Sequence, residues 1–296
     1  MKTRKYLIIN ADDFGMSHEF NSAINELLLN NCISSASIMA NGLAFDEAVN
    51  LVKKNNLKNI GLHLTLTRDD FKTESPLLYQ SVSGGSSLLD EYGRLYTSAK
   101  LLKENADYED IVREIAAQIE TAKNAGIDIT HIDNHMYSLM PRMGYTGYHA
   151  FFSAYRGKKH GFCGARIARN YYATEGLNYI WAGRKIAPYL RLKMWQLNIK
   201  GLDYSFAFPY FAEKYKTIDS KRKLLDSFLK QVRDGVTELH IHPCVFSNAL
   251  KEYNPYWENR VQEFELFHEY NVARLRKEYD IELIGYEELW KNGCYL

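Results

Sequence analysis

The chain has 296 residues, with 37 basic and 36 acidic side chains and a formal net charge of +1. This balance predicts no basic surface for nucleic acid or for an anionic membrane, so we expect neither as a partner. A hydrophobic share of 46% is typical of a globular protein, and the length suits one α/β barrel, which predicts a single catalytic domain over residues 1–296.

The N-terminal apolar run covers only residues 6–9, far fewer than a signal peptide or a membrane span requires. The cysteines show no CxxC spacing, which predicts neither a zinc knuckle nor a redox pair. They are Cys32, Cys163, Cys244 and Cys294. Both observations favour a cytoplasmic protein, because a reducing compartment leaves thiols unpaired. The 22 tyrosines suit a sugar surface, since each combines a flat apolar face with a polar tip.

Strand-like and helix-like segments alternate along the chain. The predicted strands are residues 6–9, 35–39, 59–67, 128–133, 236–242 and 281–284. The predicted helices are residues 17–29, 45–53, 108–125, 220–233 and 259–279. This alternation predicts a parallel sheet with helices outside it, for which a closed or nearly closed barrel is one arrangement.

Two regions interrupt the alternation. Residues 69–101 are polar and include Gly84 and Gly85, and residues 144–202 are rich in Tyr, Arg and Lys without a clear period. We interpret both as long loops, which in a compact domain often cover a substrate.

Two adjacent carboxylates, Asp12 and Asp13, follow the first predicted strand. Buried carboxylates are costly unless they bind something, so one could be a metal ligand and the other a general base. Alternatively, one of them caps the helix that begins near residue 17 and the other is solvated.

Histidines stand at the ends of two further strands. Strand side chains alternate between faces, so His131, Asp133 and His135 share one side if their strand extends that far. Imidazole is a common ligand of divalent cations, and a nearby carboxylate can be a ligand or can accept the other N–H of an imidazole. A lone strand histidine such as His63 can instead be a core residue.

His240 and His242 share a face of another strand, which Pro243 ends. An imidazole at the strand exit that binds no metal could protonate a leaving amine, although His242 could also be a structural residue of the strand. All of these clusters lie at strand ends, where α/β folds gather their catalytic residues.

Five motifs in this order resemble the YdjC-like carbohydrate deacetylases, whose members include chitooligosaccharide deacetylases. They are NADDFG at 10–15, SASIMANG at 35–42, GLHLTLT at 61–67, THIDNH at 130–135 and HIHP at 240–243. The resemblance extends from residue 7 to about residue 289 and includes ARIAR at 165–169, GLDYSF at 201–206 and IELIGY at 281–286.

The resemblance implies a distorted TIM-like (β/α) barrel of the glycoside hydrolase/deacetylase type. It implies a hydrolase that removes N-acetyl groups from an amino sugar or a short oligosaccharide, with one divalent metal ion. By motif position the metal ligands are Asp13, His63 and His135. Asp12 would be the general base, and His242 the general acid.

Two residues are expected to contact the substrate. Arg166 stands where the family has a basic residue near the site. The family often continues the HxDxH motif with further histidines before a proline, whereas this chain has Tyr137 and Leu139 at those alternating positions. We therefore expect Tyr137 to bind the substrate and to change the contacts beside the metal. The resemblance implies a small carbohydrate as partner and makes a homodimer a candidate assembly.

The metal and the reaction leave alternatives open. Two imidazoles favour a transition metal such as Zn²⁺, while the family is often assigned Mg²⁺. A metal-dependent phosphoesterase acting on a sugar phosphate would need two metals ~3.5–4 Å apart, for which His131, Asp133 and His240 could supply ligands. A non-catalytic carbohydrate-binding relative is the third reading.

Overall fold

The computed structural model describes residues 4–69, 78–139, 145–155, 164–172, 179–181, 187–209 and 213–291. Within these ranges the strands, β1 to β9, are Lys5–Phe14, Ser35–Ile38, Ile60–Leu64, His131–Asn134, Gly164–Tyr172, Tyr179–Trp181, Lys200–Ala207, Gly235–Ile241 and Ile281–Leu283. The helices, α1 to α11, are His18–Leu29, Phe45–Asn55, Ala99–Asn105, Tyr108–Asn124, Tyr145–Tyr155, Ala187–Gln196, Ile218–Gln231, Asn248–Tyr253, Trp257–Glu269, Ala273–Tyr279 and Glu288–Lys291.

Parallel strands close into a barrel. The order β2-β3-β4-β5-β7-β8-β1 returns to β2 through the pairing of β1 with β2, and every pairing in this ring is parallel. Outside the ring, β6 pairs antiparallel with β5, and β9 pairs parallel with the first three residues of β1. The predicted TIM-like α/β barrel is confirmed.

Alternation along the strands separates an outer core from the barrel interior. On β1, Leu7 and Ile9 belong to the large apolar cluster between the barrel and its helices. Ile8 belongs instead to a small cluster with Val236 and Tyr286, at the amino-terminal end of the barrel. The polar interior therefore lies above an apolar plug, toward the carboxyl ends of the strands.

The outer helices pack with the faces that their periodicity predicts. On α4, four apolar residues spaced three or four apart are buried. They are Ile111, Ile115, Ile119 and Ala122. A capping box of Thr217 and Ser220 begins α7, so two backbone N–H groups at the start of this helix are satisfied.

One predicted helix is two helices. The sequence predicted a continuous helix over residues 259–279, but α9 ends at Glu269 and α10 begins at Ala273. Tyr270 leaves the helical conformation with a ψ of 119°, and the side-chain oxygen of Asn271 accepts a hydrogen bond of 3.0 Å from the Ala273 backbone. A short polar side chain that bonds nearby backbone competes with continuation of a helix.

The prediction that residues 144–202 form a loop is wrong where the structure describes them. These parts contain α5, β5, β6, α6 and the start of β7. The apolar residues of α5 stand together at 150–152 instead of at helical spacing, so no stripe was visible. On β5, the charged Arg166 between Ala165 and Ile167 points into the barrel and disguises a buried strand.

The other predicted loop, residues 69–101, is closer to what the structure shows. It contains a short 3-10 turn at Ser86–Leu88 and the start of α3, and residues 78–98 have no longer helix or strand. Residues 70–77 lie outside the described residues. Among the residues described, no helix combines the length and apolarity needed to cross a bilayer. Cys32 and Cys244 are free and buried, while the other two cysteines lie outside the described residues. The single domain, the cytoplasmic location and the homodimer stay predictions.

Candidate metal centre and active site

Asp12 and Asp13 both face the barrel interior because β1 is distorted where they lie. In a regular strand, neighbouring side chains point to opposite faces. Here the register between β1 and β2 shifts between Ala11 and Phe14, and Asp13 has a left-handed φ of 68°. This bulge lets both carboxylates reach one polar interior, where both are buried. The strand also extends past residue 9, its predicted end, to residue 14.

Asp13, His63 and His135 converge on one point. Oδ1 of Asp13 lies 3.4 Å from Nε2 of His63 and 3.2 Å from Nδ1 of His135. One potential ligand atom from each residue lies within 4.8 Å of the others. β4 ends at Asn134, so His135 reaches this point from a 3-10 turn and not from the strand. The structure thus brings together the three residues that the sequence named as metal ligands.

Each imidazole is held from its far side by a carboxylate. Nδ1 of His63 lies 2.6 Å from Oδ1 of Asp133, and Nε2 of His135 lies 3.2 Å from Oδ2 of Asp69. The remaining ring nitrogens are those that face Asp13. A carboxylate behind an imidazole fixes the orientation of the ring and makes it a stronger metal ligand.

The second oxygen of Asp13 is engaged from outside the barrel. Arg260 on α9 is buried, and its Nη1 donates a hydrogen bond of 3.1 Å to Oδ2 of Asp13. The guanidinium also lies 5.0 Å from the centroid of the Phe20 ring. Oδ1 is therefore the oxygen of Asp13 that faces the imidazoles.

The electrostatics of the cluster favour bound positive charge. Burial alone would lower the pKa of both imidazoles, but Asp133 above all raises the pKa of His63 to about 10, and Asp69 above all raises the pKa of His135 to about 9. Burial raises the pKa of Asp13, but the two imidazoles beside it hold that pKa well below its usual range. A proton on each imidazole, or a divalent cation in their place, neutralises the cluster.

The donor set fits such a cation. Oδ1 of Asp13 and Nε2 of His63 are buried, and neither has a hydrogen-bond partner among the described residues. Buried polar atoms are normally bonded, so two such atoms facing each other fit a shared ion. Two nitrogens and one oxygen suit a transition metal with positions open to water and substrate.

A second carboxylate cluster lies beside the first, and its members surround a guanidinium from the same chain. Arg166 donates hydrogen bonds of 2.6 and 2.7 Å to the two oxygens of Asp12 and one of 2.8 Å to Oε2 of Glu238. Its Nη2 lies 2.7 Å from Oδ2 of Asp133. Asp12, Asp133 and His63 also have the spacing of cation ligands, but the guanidinium contacts both of those carboxylates. Arg166 is buried beneath Asp12, and its predicted contact with the substrate stays a prediction.

The predicted base and acid lie side by side. Oδ2 of Asp12 is 3.8 Å from Nε2 of His242. Burial raises the pKa of Asp12, but the Arg166 guanidinium and the nearby imidazoles together outweigh this effect and hold the pKa well below its usual range. Burial lowers the pKa of His242 to about 4. At neutral pH the pair is therefore a carboxylate beside a neutral imidazole.

Tyr137 stands at the mouth of the barrel. It follows His135 in the turn where Met136 and Tyr137 have left-handed φ values of 50° and 53°. The Tyr137 hydroxyl lies 3.1 Å from Nε2 of His240, and 41% of the residue is exposed. Leu139, the other departure from the family pattern, is buried in the core. Of the two, Tyr137 is therefore the residue that a ligand can reach.

His131 belongs to the floor beneath these clusters. Its ring stacks on that of Tyr286 with centroids 3.7 Å apart, and burial lowers the pKa of His131 to about 3. Glycines make room for the stack: a Cβ on Gly61 would lie 2.4 Å from the His131 ring, and one on Gly164 would lie 2.5 Å from the Tyr286 ring. Among the described residues, neither His131 nor His240 joins a group with the spacing of metal ligands.

The glycines of the first two motifs meet behind the metal cluster. Gly15 has a left-handed φ of 97°, and a Cβ on Gly42 would lie 2.2 Å from the carbonyl oxygen of Gly15. A side chain at position 42 would therefore push apart two backbone segments that follow β1 and β2. Both motifs thus hold the turn that follows the two aspartates.

Four residues of the site were not found from the sequence. They are Asp69, Glu238, Arg260 and Tyr79, whose hydroxyl donates a hydrogen bond of 2.7 Å to Oδ2 of Asp69. Asp69 and Tyr79 lie in a region without periodicity, and one arginine on an outer helix carries no signal. Glu238 could have been found, because it stands two residues before His240 and thus on the same face of β8.

A family model described as "YdjC-like protein" matches residues 6–278. The chain belongs to the YdjC-like family. The resemblance drawn from the motifs is therefore confirmed, and the matched range contains the residues of both carboxylate clusters, while Tyr286 beneath them lies after its end.

Relatives of known name cover nearly the whole chain. A carbohydrate deacetylase of Listeria monocytogenes is 28% identical over 288 residues, which are 96% of this chain and 99% of the relative. A carbohydrate deacetylase of Thermoanaerobacter pseudethanolicus is 26% identical over 285 residues, with the same coverage. A crystal structure from Enterococcus faecalis, described as that of a cellobiose-phosphate cleavage protein, has a TM-score of 0.70 at 25% identity and covers 97% of this chain and 99% of its own.

Proposed function

We propose that this YdjC-like protein is a metal-dependent carbohydrate deacetylase that hydrolyses the N-acetyl group of an amino sugar or a short oligosaccharide. The observation that carries the proposal is the cluster of Asp13, His63 and His135 next to the pair of Asp12 and His242. The names of the full-length relatives support both the carbohydrate and the reaction.

Asp13, His63 and His135 would hold one divalent ion. When bound, such an ion lowers the pKa of water, toward ~7 in the best zinc cases, and polarises the acetyl carbonyl. The imidazoles, backed by Asp133 and Asp69, favour a transition metal such as Zn²⁺ over Mg²⁺, which prefers oxygen ligands.

Asp12 and His242 would move the proton. Asp12 accepts the proton of the water whose oxygen bonds to the acetyl carbon. Nε2 of His242 lies 3.8 Å from Oδ2 of Asp12, so the imidazole is placed to receive this proton from the carboxylate. His242 then protonates the amine nitrogen as the C–N bond breaks, which leaves acetate and the free amino sugar. Such general acid–base catalysis typically contributes ~10²–10⁴-fold in rate.

Tyr137 is the better supported of the two candidate substrate contacts. It is 41% exposed at the barrel mouth, and its ring offers a flat apolar face to a sugar. Arg166 in contrast directs its donors at carboxylates, so its main role in this proposal is to hold Asp12.

A metal-dependent phosphoesterase is the second candidate function. Asp12, His63 and Asp133 have the spacing of a further cation site. The description of the Enterococcus faecalis relative names a sugar phosphate, cellobiose phosphate. The Arg166 guanidinium argues against this reading because it already contacts both carboxylates of that group. We therefore expect one metal ion per chain, where a two-metal phosphoesterase needs two.

The test assays the purified protein with Zn²⁺, Mn²⁺ or Mg²⁺, with and without a chelator. Acetate release is measured from N-acetylglucosamine and its short oligomers, and phosphate release from sugar phosphates, alongside the metal content per chain. We expect acetate release that is lost with chelator and in Asp12→Asn. It should be unchanged in the matched control His149→Ala, an exposed histidine on α5.

Each alternative has its own outcome in this assay. Phosphate release with two metals per chain would support the phosphoesterase. Sugar binding without acetate release under any metal would support a non-catalytic carbohydrate-binding protein. Unchanged turnover in Asp12→Asn would contradict the assignment of the base.

A further inference from the structure

A buried network connects His135 to the segment that follows β3. Oδ2 of Asp69 lies 3.2 Å from Nε2 of His135 and accepts a hydrogen bond of 2.7 Å from the Tyr79 hydroxyl. The oxygen of that hydroxyl in turn accepts a hydrogen bond of 2.6 Å from the Asp69 backbone N–H. The Tyr79 ring packs edge to face on the His135 ring, with centroids 5.5 Å apart. Tyr79 thus touches both other members of the network.

We propose that Asp69 and Tyr79 are positioning residues of the metal centre: Asp69 orients His135 as a ligand, and Tyr79 holds Asp69 in place. This inference rests on the proposed function only because it takes Asp13, His63 and His135 as the ligands. A carboxylate at Nε2 retains the imidazole proton there, which directs the lone pair of Nδ1 toward Asp13 and the metal.

The anchoring of Tyr79 supports this role. Its backbone bridges to Gly42, and the Leu43 backbone N–H donates to the Leu78 carbonyl at 2.6 Å. The side chain of Asn41 adds a hydrogen bond of 2.9 Å to the Gln80 carbonyl. The turn after β2 thereby holds the backbone on both sides of Tyr79. Through Tyr79, the end of the SASIMANG motif at residues 41 and 42 is connected to the metal centre.

Asp69 supports the metal without reaching it. Its Oδ2 faces the nitrogen of His135 that points away from Asp13, and in the described residues it joins no group with the spacing of ligands. Asp133 has the same place behind His63, but it stands within β4, where strand pairing fixes its backbone. Asp69 lies after β3, outside any helix or strand, so no strand pairing fixes its backbone. The Tyr79 hydroxyl holds Asp69 in place instead.

The experiment measures the affinity of the purified protein for Zn²⁺ by competition with a chromophoric chelator. Asp69→Asn keeps the size of the side chain and removes its charge, so we expect affinity to fall by about 10–100-fold. Tyr79→Phe keeps the ring and removes one hydroxyl, so we expect a smaller loss of about 3–10-fold. Asp90→Asn is the matched control, a carboxylate of the same segment that accepts from the Arg94 backbone. The Zn²⁺ affinity of Asp90→Asn should stay within about twofold of that of the wild type, because Asp90 makes no contact with Asp13, His63 or His135.

A second readout separates positioning from general stability. With Co²⁺ bound, the visible absorption spectrum reports the ligand geometry, and we expect it to shift in Asp69→Asn and in Tyr79→Phe but not in Asp90→Asn. Wild-type affinity and spectrum in folded Asp69→Asn would overturn the inference. If that variant does not fold, the same result in Tyr79→Phe overturns it.

The reference variant His135→Ala distinguishes this failure from failure of the proposed function. Zn²⁺ binding that is lost in His135→Ala but retained in Asp69→Asn refutes the positioning role alone. Zn²⁺ binding with the expected losses, but without acetate release from any N-acetylated sugar, refutes the deacetylase and leaves the positioning role supported. No Zn²⁺ binding by the wild type, or wild-type binding by His135→Ala, overturns both.

Discussion

Two carboxylate clusters lie next to each other inside the barrel, and they differ in the source of their positive charge. In the arginine cluster, Asp12, Asp133 and Glu238 surround the guanidinium of Arg166. In the metal cluster, Asp13 faces two imidazoles, and two of the converging buried atoms have no hydrogen-bond partner among the described residues.

This difference indicates which cluster binds something from outside. The guanidinium of Arg166, on a barrel strand, is a permanent cation of fixed geometry. It can hold the base Asp12 in place, and the carboxylates around it need no further ion. In the metal cluster the Arg260 guanidinium bonds to Oδ2 of Asp13 and not to its Oδ1. Oδ1 and the two imidazoles therefore take up protons or a metal, and a metal leaves coordination positions for water and substrate.

The largest effect is expected in the metal cluster. His63→Ala or His135→Ala removes one of three ligands, and acetate release should fall by roughly 10³-fold or more, because a catalytic ion supplies several kcal/mol to the transition state. The measurement is kcat/KM together with metal content after dialysis. Full activity in either variant would show that the metal ligands lie elsewhere in the chain.

The next effect is expected in the arginine cluster, and it concerns stability. Arg166→Ala leaves three buried carboxylates without their cation, so the free energy of unfolding in urea should fall by about 3–5 kcal/mol. Arg169→Ala, on the same strand, is the control: Arg169 is 33% exposed and lies 3.7 Å from Asp203. The free energy of unfolding should fall by less than ~1 kcal/mol in Arg169→Ala. Equal losses in the two variants would contradict the assignment of Arg166 as a built-in cation.

A smaller, pH-dependent effect tests how fully Arg166 neutralises its neighbours. Burial raises the pKa of Glu238 from 4.5 to about 7, although Arg166 opposes the shift. A carboxyl whose pKa is higher in the folded chain stabilises the fold below pH 4.5, and this contribution is lost as the pH rises through about 7. In the wild type, the free energy of unfolding should therefore fall between about pH 5 and about pH 8. In Glu238→Gln this fall should be smaller by about 1–3 kcal/mol. Urea titrations at each pH measure the free energy of unfolding. The same dependence of this free energy on pH in the variant and the wild type would refute the prediction.

The smallest effect is expected at the floor of the arginine cluster. The Tyr286 hydroxyl donates a hydrogen bond of 2.9 Å to Oε1 of Glu238, while its ring stacks on His131. Tyr286→Phe keeps the stack and removes the donor, so stability should fall by about 1 kcal/mol. Tyr286→Leu removes the stack as well and should cost more. A larger loss in the Phe variant than in the Leu variant would contradict this division.

Local patterns in the chain were sufficient for a parallel α/β sheet with polar residues at its strand ends, and the resemblance of the motifs added the barrel and the ligand set. Period-2 alternation located His240 and His242 on one face, and the motifs named Asp13, His63 and His135, which the structure brings together. These inferences succeed because each depends on neighbours a few residues apart, or on the rule that parallel strands end at the same edge of a sheet. The same rules failed over residues 144–202, where inward polar residues and clustered apolar ones hide the periods.

The division of roles inside the barrel was decided only by the tertiary structure. Arg260 is 247 positions from Asp13 in the chain, and Arg166 is 154 positions from Asp12, so no local pattern reports either contact. The bulge at Asp13 depends on pairing with β2, and Asp69 is placed by Tyr79. The sequence by itself determined which side chains could bind a metal. The packing of distant segments decided which carboxylate oxygens contact a guanidinium of the chain and which oxygen, Oδ1 of Asp13, faces the two imidazoles.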